Sequence, residues 1–212
     1  MKTIIPAALI AATAMAASTG AQAQSGFRAD IHAGWDRVST DRRTDVGTSG
    51  ATTSEKDDGI VYGGEVGYDH DLGGFTLGAY AGIEGASTKE CAEVFTEVET
   101  CAKTGRNITL GLRAGAQVTP RILLYAKGGY SNGQVKLDYI DHVAPEDSFG
   151  LSDEMDGYHL GAGVQVGIMS NLYAKLEYVH TDYADYSIEN GAATITGGVK
   201  RDNVVLGVGF RF

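Results

Sequence analysis

The stretch GYHLGAGVQVGI, residues 157–168, decides the fold. Tyr158, Leu160, Ala162, Val164, Val166 and Ile168 are apolar, and the positions between them hold His159, Gln165 and four glycines. A period of two is the signature of a strand whose two faces meet different surroundings. One strand cannot say which face is covered, so the question passes to its neighbours in the chain.

Seven further segments repeat the pattern. FRADIHAGW (27–35) sets Phe27, Ala29, Ile31, Ala33 and Trp35 against Arg28, Asp30, His32 and Gly34. IVYGGEVGYD (60–69) sets Ile60, Tyr62, Val66 and Tyr68 against Glu65 and Asp69. FTLGAYAGIEG (75–85), RNITLGLRAGAQV (106–118) and ILLYAKGGY (122–130) follow, with Glu84, Arg113 and Lys127 on their polar sides. LYAKLEYVH (172–180) puts Lys175 and Glu177 opposite Leu176 and Tyr178, and NVVLGVGFRF (203–212) closes the series on Phe210 and Phe212.

The connections alternate as well. HDLGG (70–74), TPR (119–121) and MSN (169–171) are short and carry turn chemistry. The stretches 38–59, 86–105, 131–156 and about 181–202 are long and rich in Asp, Glu, Thr, Ser and Gly. Short turns at one end and long polar loops at the other predict an all-β, eight-stranded antiparallel up-and-down transmembrane barrel, with four long outer loops. Each apolar run matches the roughly 9–11 residues a tilted strand needs to cross the hydrocarbon. In lipid no sheet edge stays unpaired, so the first and last strands are expected to pair. A soluble barrel would reverse the polarity, apolar side inward. A soluble sandwich would seldom mix glycine and charge on so many second faces.

The N-terminus fits export. MKTIIPAALIAATAMAASTGAQA (1–23) has one charge at Lys2, a short apolar run and Ala21-Gln22-Ala23. That is the form of a secretory leader cut after Ala23, leaving 24–212 as one barrel domain. With Lys2 removed the 17 basic side chains fall to 16, against 27 acidic ones, a net charge of −11. An acidic exterior without a basic patch argues against nucleic acid as partner. Cys91 and Cys101 are the only cysteines. In an oxidising compartment they read as a structural disulfide, with free thiols as the alternative.

YAKGGY (125–130), GYHLGAGVQVG (157–167), LYAKLEYVHTDY (172–183) and NVVLGVGFRF (203–212) together resemble one family. It is the small eight-stranded outer membrane barrels of the opacity-protein and OmpA-transmembrane-domain type, above all those of alphaproteobacteria. The resemblance covers essentially the whole exported chain, with E-Y-x-x-T-D at 177–182 and G-x-x-F-x-F at 207–212 its strongest parts. It implies that Gly207, Phe210 and Phe212 serve as the signal read by the barrel assembly machinery. Val179 stands where many members carry a basic lumen residue, and Val205 where the assembly signal often has a polar one. It also implies a monomer in lipid and lipopolysaccharide, with no peptidoglycan-binding domain, whose loops touch a host or surface ligand.

Eight strands enclose a lumen just wide enough for side chains to fill. Charges there must be paired or hydrated. The lumen is expected to receive Arg28, Asp30, Glu65, Asp69, Glu84, Arg113, Lys127, Lys175, Glu177 and Arg211, with Glu65, Glu84 and Glu177 among the acids of a stack of ion pairs, Arg113, Lys127 and Lys175 as its bases, and inward glycines making room. A rigid plug is one reading and a narrow ion path the other. Catalysis has weak candidates: His180, Thr181 and Asp182 at the outer end of one strand, and Ser87 at the end of another. No G-x-S-x-G or H-E-x-x-H occurs, and no cofactor or metal motif is present. DHVAPEDSFGLSDEMD (141–156) gathers six acids but lacks the spacing of a calcium loop. Divalent bridging from it to lipopolysaccharide phosphates is the functional alternative to a solvated loop.

Overall fold

The computed structural model describes residues 25–46, 49–87, 89–95, 98–141, 149–184, 186–190 and 193–212. The expected leader and its cut after Ala23 lie outside them. The described residues are almost entirely strand: β1 (Gly26–Val46), β2 (Ser49–Asp71), β3 (Phe75–Ala86), β4 (Lys89–Phe95), β5 (Val98–Thr119), β6 (Ile122–Asp141), β7 (Phe149–Gly167), β8 (Leu172–Tyr183), β9 (Tyr186–Asn190) and β10 (Ala193–Arg211).

All pairings are antiparallel between staves that follow one another. Closure comes from β1, which pairs β2 on one side and β10 on the other, from Arg28↔Arg211 to Val46↔Ala193. β4 extends the line of β3 along β5, and β9 extends that of β8 along β10. Ten strands therefore make eight staves of one closed barrel.

Local chemistry sets the short turns. Gly73 and Gly74 take φ of 80° and 105°, left-handed conformations that side chains with a Cβ avoid. The Asp71 carboxylate accepts both their amides, at 2.9 and 3.3 Å, and fixes the β2–β3 turn. At the β5–β6 turn the Thr119 hydroxyl accepts the amides of Arg121 and Ile122.

Polarity is inside out. Ile31, Leu112 and Leu206 leave 73, 70 and 68% of their surface open on the outer face. Meanwhile Arg28, Asp36, Asp69 and His159 are among the most deeply buried side chains described. A soluble barrel with this arrangement would lose the hydrophobic term and pay the desolvation of charge as well. Lipid resolves both. Trp35, Tyr62, Tyr130, Tyr158 and Tyr178 mark one edge of the apolar band, and Phe27, Tyr68, Phe75, Phe210 and Phe212 the other. Phe27 stacks edge-on against Tyr68 with centroids 5.1 Å apart, and Phe210 lies 5.3 Å from Phe212.

The stretches expected as long loops differ from expectation. β1 and β2 stay paired as far as Val46↔Ser49, and β5 and β6 as far as Val98↔Asp141. Beyond Trp35, β1 runs on for 11 residues, roughly 35 Å of strand. Backbone hydrogen bonding needs no apolar face, so the ladder continues where the lipid, and with it the alternation, stops.

The wall is not continuous over this outer part. β2 and β3 pair only up to Val61↔Ala86, and β7 and β8 only up to Gly157↔Tyr183. Above these points the described strands form two four-stranded sheets, β2-β1-β10-β9 and β4-β5-β6-β7.

Candidate functional site

The lumen holds the densest chemistry. Parity along each stave sends alternate side chains inward, and the six residues expected to form the ion-pair stack lie inside: Glu65, Glu84, Arg113, Lys127, Lys175 and Glu177. The structure links four of them directly. Lys127 Nζ sits 2.6 Å from Glu65 Oε2 and 3.1 Å from Glu177 Oε1, and Lys175 Nζ reaches Glu177 Oε2 at 4.0 Å.

Asp30 and Arg28 close the circuit. Lys175 Nζ is 2.6 Å from Asp30 Oδ1, Asp30 Oδ2 is 3.2 Å from Arg28 Nη1, and Arg28 Nη1 is 2.6 Å from Glu65 Oε1. Three cations and three anions alternate around this ring, which draws on β1, β2, β6 and β8. β6 stands diametrically across the barrel from β1, so the ring spans the bore.

Arg113 and Glu84 join other clusters. Arg113 Nε approaches Asp69 at 3.6 Å and Arg113 Nη2 donates to Gln165 at 3.2 Å. Asp69 also meets Arg28 at 3.4 Å and Arg211 at 3.1 Å, so three guanidiniums share one fully buried carboxylate. Toward the outer end, Glu84 accepts from Asn107 at 3.2 Å and lies 3.4 Å from His32 and 3.7 Å from Arg201. Arg201 in turn grips Asp36 through two nitrogens, at 2.7 and 3.2 Å. Across these clusters Arg28, Arg113, Lys127, Lys175, Arg201 and Arg211 stand against Asp30, Asp36, Glu65, Asp69, Glu84 and Glu177, six charges of each sign.

Sequence reasoning missed Asp36, Arg201 and the tyrosines as lumen partners. Tyr125 donates to Glu177 at 2.7 Å and Tyr173 to Asp30 at 3.0 Å. The Tyr80 hydroxyl bonds His159 Nε2 across the bore, and Ser131 Oγ lies 2.8 Å from His159 Nδ1. Lys127 Nζ lies 4.3 Å over the Tyr80 ring and the Arg113 guanidinium 4.2 Å over that of Tyr125. Inward glycines leave room for these groups: a Cβ on Gly163 or on Gly111 would come within 2.6 Å of the Tyr125 or Tyr80 hydroxyl. The usable signal was parity alone, since Asp36 continues the count of Arg28, Asp30 and His32, and Arg201 that of Asn203 and Val205.

The catalytic candidates do not meet. His180 Nδ1 is 2.8 Å from Asp202, Thr181 is buried in the lumen and Asp182 accepts from Tyr158 at 3.3 Å. The Ser87 hydroxyl accepts the Ile60 amide at 3.2 Å. Ser87 and His180 sit on staves with three others between them either way round the barrel. Arg37 clamps Asp58 through two bonds of 2.8 and 3.2 Å, which holds that exposed carboxyl below the usual carboxylate range.

Within the acidic stretch 141–156, Glu154 pairs with Arg106 at 2.9 Å and Asp156 accepts from Asn132 at 2.8 Å and from Tyr130. Residues 142–148 lie outside the described ones, as do the side chains of Asp141 and Asp153. The side chains of Cys91 and Cys101 lie outside them too; their backbones stand directly opposite each other across β4 and β5. Gly207 and Phe210 lie in β10, and the Phe212 amide donates to the Phe27 carbonyl at 2.8 Å.

Comparison with known proteins agrees with this architecture. The family model "Outer membrane protein beta-barrel domain" matches residues 5–212. A "22 kDa outer membrane protein" of Rhizobium leguminosarum bv. viciae is 33% identical over 112 residues, 52% of this chain and 48% of that one. The chain thus spans about half the length of that relative. A "31 kDa outer-membrane immunogenic protein" of Brucella melitensis biotype 1 is 28% identical over 163 residues, 73% of this chain and 67% of that one. Among solved structures, the outer membrane protease OmpT from Escherichia coli aligns over 90% of this chain and 97% of its own, at 11% identity and a TM-score of 0.51. That likeness is one of fold alone.

Proposed function

The chain belongs to the outer membrane protein β-barrel domain family, and from that premise we propose that it is a non-enzymatic, monomeric barrel of the bacterial outer membrane. Its work is to support the envelope and to present its outer ribbons to whatever lies outside. The observation that carries this reading is the ring of ion pairs spanning the bore from β1 and β2 to β6 and β8. Paired charges and tyrosines fill an eight-stranded interior, and a filled interior holds the wall rigid without opening a path.

The remaining parts of the reading follow from the same premise. The leader is removed after Ala23 on export, and Gly207, Phe210 and Phe212 are what the assembly machinery reads. Cys91 and Cys101 form a disulfide in the outer ribbon. Lipid and lipopolysaccharide surround the apolar band. The immunogenic character in the names of the Brucella relatives supports display at the surface, where a host or surface ligand would be met.

Planar-bilayer recording with the purified, folded protein tests the proposal. Silence is expected. Reproducible conductance steps that change with Glu65→Gln or Lys127→Met would overturn it in favour of a small passive channel.

A further inference from the structure

The outer ribbons end in an open edge. Above Val61↔Ala86 the last contact between β2 and its neighbour is Ser87, whose amide donates to the Ile60 carbonyl at 2.8 Å while its hydroxyl accepts the Ile60 amide at 3.2 Å. β4, which follows, pairs with β5 and with no other described strand. Among the described residues, β2 from Gly59 to Ser49 is paired on its β1 side only.

The direction of the unpaired groups can be read from Ile60. Both its N–H and its C=O point to the β3 side, at Ser87. Backbone groups change sides with every residue, and the β1–β2 ladder runs from Gly26↔Asp69 to Val46↔Ser49 without a register shift. Asp58, Lys56, Ser54 and Thr52 therefore aim their N–H and C=O groups at the same open side. Such a row is a template for an added strand. No proline or bulge blunts it between residues 49 and 60.

Charge selects among guests. With Asp58 taken by Arg37, this edge keeps Glu55 and Asp57 against Lys56. The open edge of β2 is net acidic, in a chain of net charge −10.

We propose that the seam between β2 and β4 is a strand-addition site that takes an extended, basic peptide segment of another protein onto the open edge of β2. Main-chain hydrogen bonds supply the affinity and the acidic edge of β2 supplies the preference for lysine and arginine. This deepens the surface role proposed above and rests on the outer ribbons facing the medium.

The test titrates the full chain, folded in detergent, with a fluorescent twelve-residue peptide of alternating lysine and threonine, followed by anisotropy. Gel mobility with and without boiling establishes in parallel that each variant is a barrel. Saturable binding is expected for the wild type. Lys56→Pro removes one donor aimed at the seam and leaves the β1 ladder intact, and about tenfold weaker binding is expected from it. Lys56→Gln leaves that donor and makes the seam more acidic, so its binding is expected to equal or exceed that of the wild type. Thr52→Pro, which also removes an outward donor without touching charge, is expected to behave like Lys56→Pro.

An intact wild-type barrel that binds no peptide would overturn the inference and leave the surface role standing. Equal affinity of Lys56→Pro and Lys56→Gln would overturn it as well, because charge alone would then explain the binding. Self-association of the wild type, lost in Lys56→Pro and accompanied by no peptide binding, would replace the proposed guest with a second copy.

Discussion

Lys127 holds Glu65 and Glu177 at once, with its ammonium 2.6 Å from one carboxylate and 3.1 Å from the other. These three residues come from β6, β2 and β8, so a single ammonium ties three staves together across the bore. Removing it leaves Glu65 with Arg28 alone and Glu177 with the Tyr125 hydroxyl and the more distant Lys175, three anions against two cations around the ring.

Lys127→Met should therefore destabilise the barrel, by less than the roughly 3–5 kcal/mol that a fully stranded buried charge costs. Urea unfolding in lipid vesicles, followed by gel mobility, measures it. Adding Glu177→Gln to that variant restores two cations against two anions and should recover much of the loss. If the single variant proved as stable as the wild type, the ring would not be what braces the wall.

On the lipid face, Leu112 is 70% exposed near the middle of the apolar band. Leu112→Arg should cost about 2–4 kcal/mol when the protein folds into vesicles, as charge does at the bilayer midplane. A barrel in aqueous surroundings would be indifferent to the same change, so the sign of the effect reports the solvent.

Gly163 has no room for a side chain. Its Cβ would lie 2.6 Å from the Tyr125 ring and 2.8 Å from the Leu176 carbonyl. Gly163→Ala is expected to cost about 1–3 kcal/mol through overpacking. Tyr125→Leu in the same chain should recover part of that loss, and full recovery would show that the neighbouring backbone adds nothing.

Cys91 and Cys101 face each other across an antiparallel pair. Directly opposed positions fall within the Cα separation that a disulfide requires. Maleimide labelling of the folded protein should fail without reductant and succeed after reduction. Closing a loop of this length contributes about 2.5–3 kcal/mol on the chain-entropy estimate, so reduction should lower unfolding resistance measurably.

Alternation gave away the staves, their faces and the inward placing of Glu65, Glu84, Arg113, Lys127, Lys175 and Glu177. It works because every membrane-crossing residue must choose between lipid and lumen, and that choice is printed in its polarity. A few residues beyond Trp35 both faces are wet and the choice disappears. The strands nevertheless continue, so Arg201 and its partner Asp36 were hidden in what reads as loop and loop edge.

What the sequence by itself determined is which side of the wall each residue occupies, since period two follows from backbone geometry and from two unlike solvents. Only the tertiary structure decided who meets whom inside. Height along the bore depends on strand tilt and register, and partners such as Lys127 and Glu65 approach from staves with two others between them. The opening of the wall above Val61↔Ala86 was likewise settled in three dimensions, because it depends on where one ladder ends relative to its neighbours.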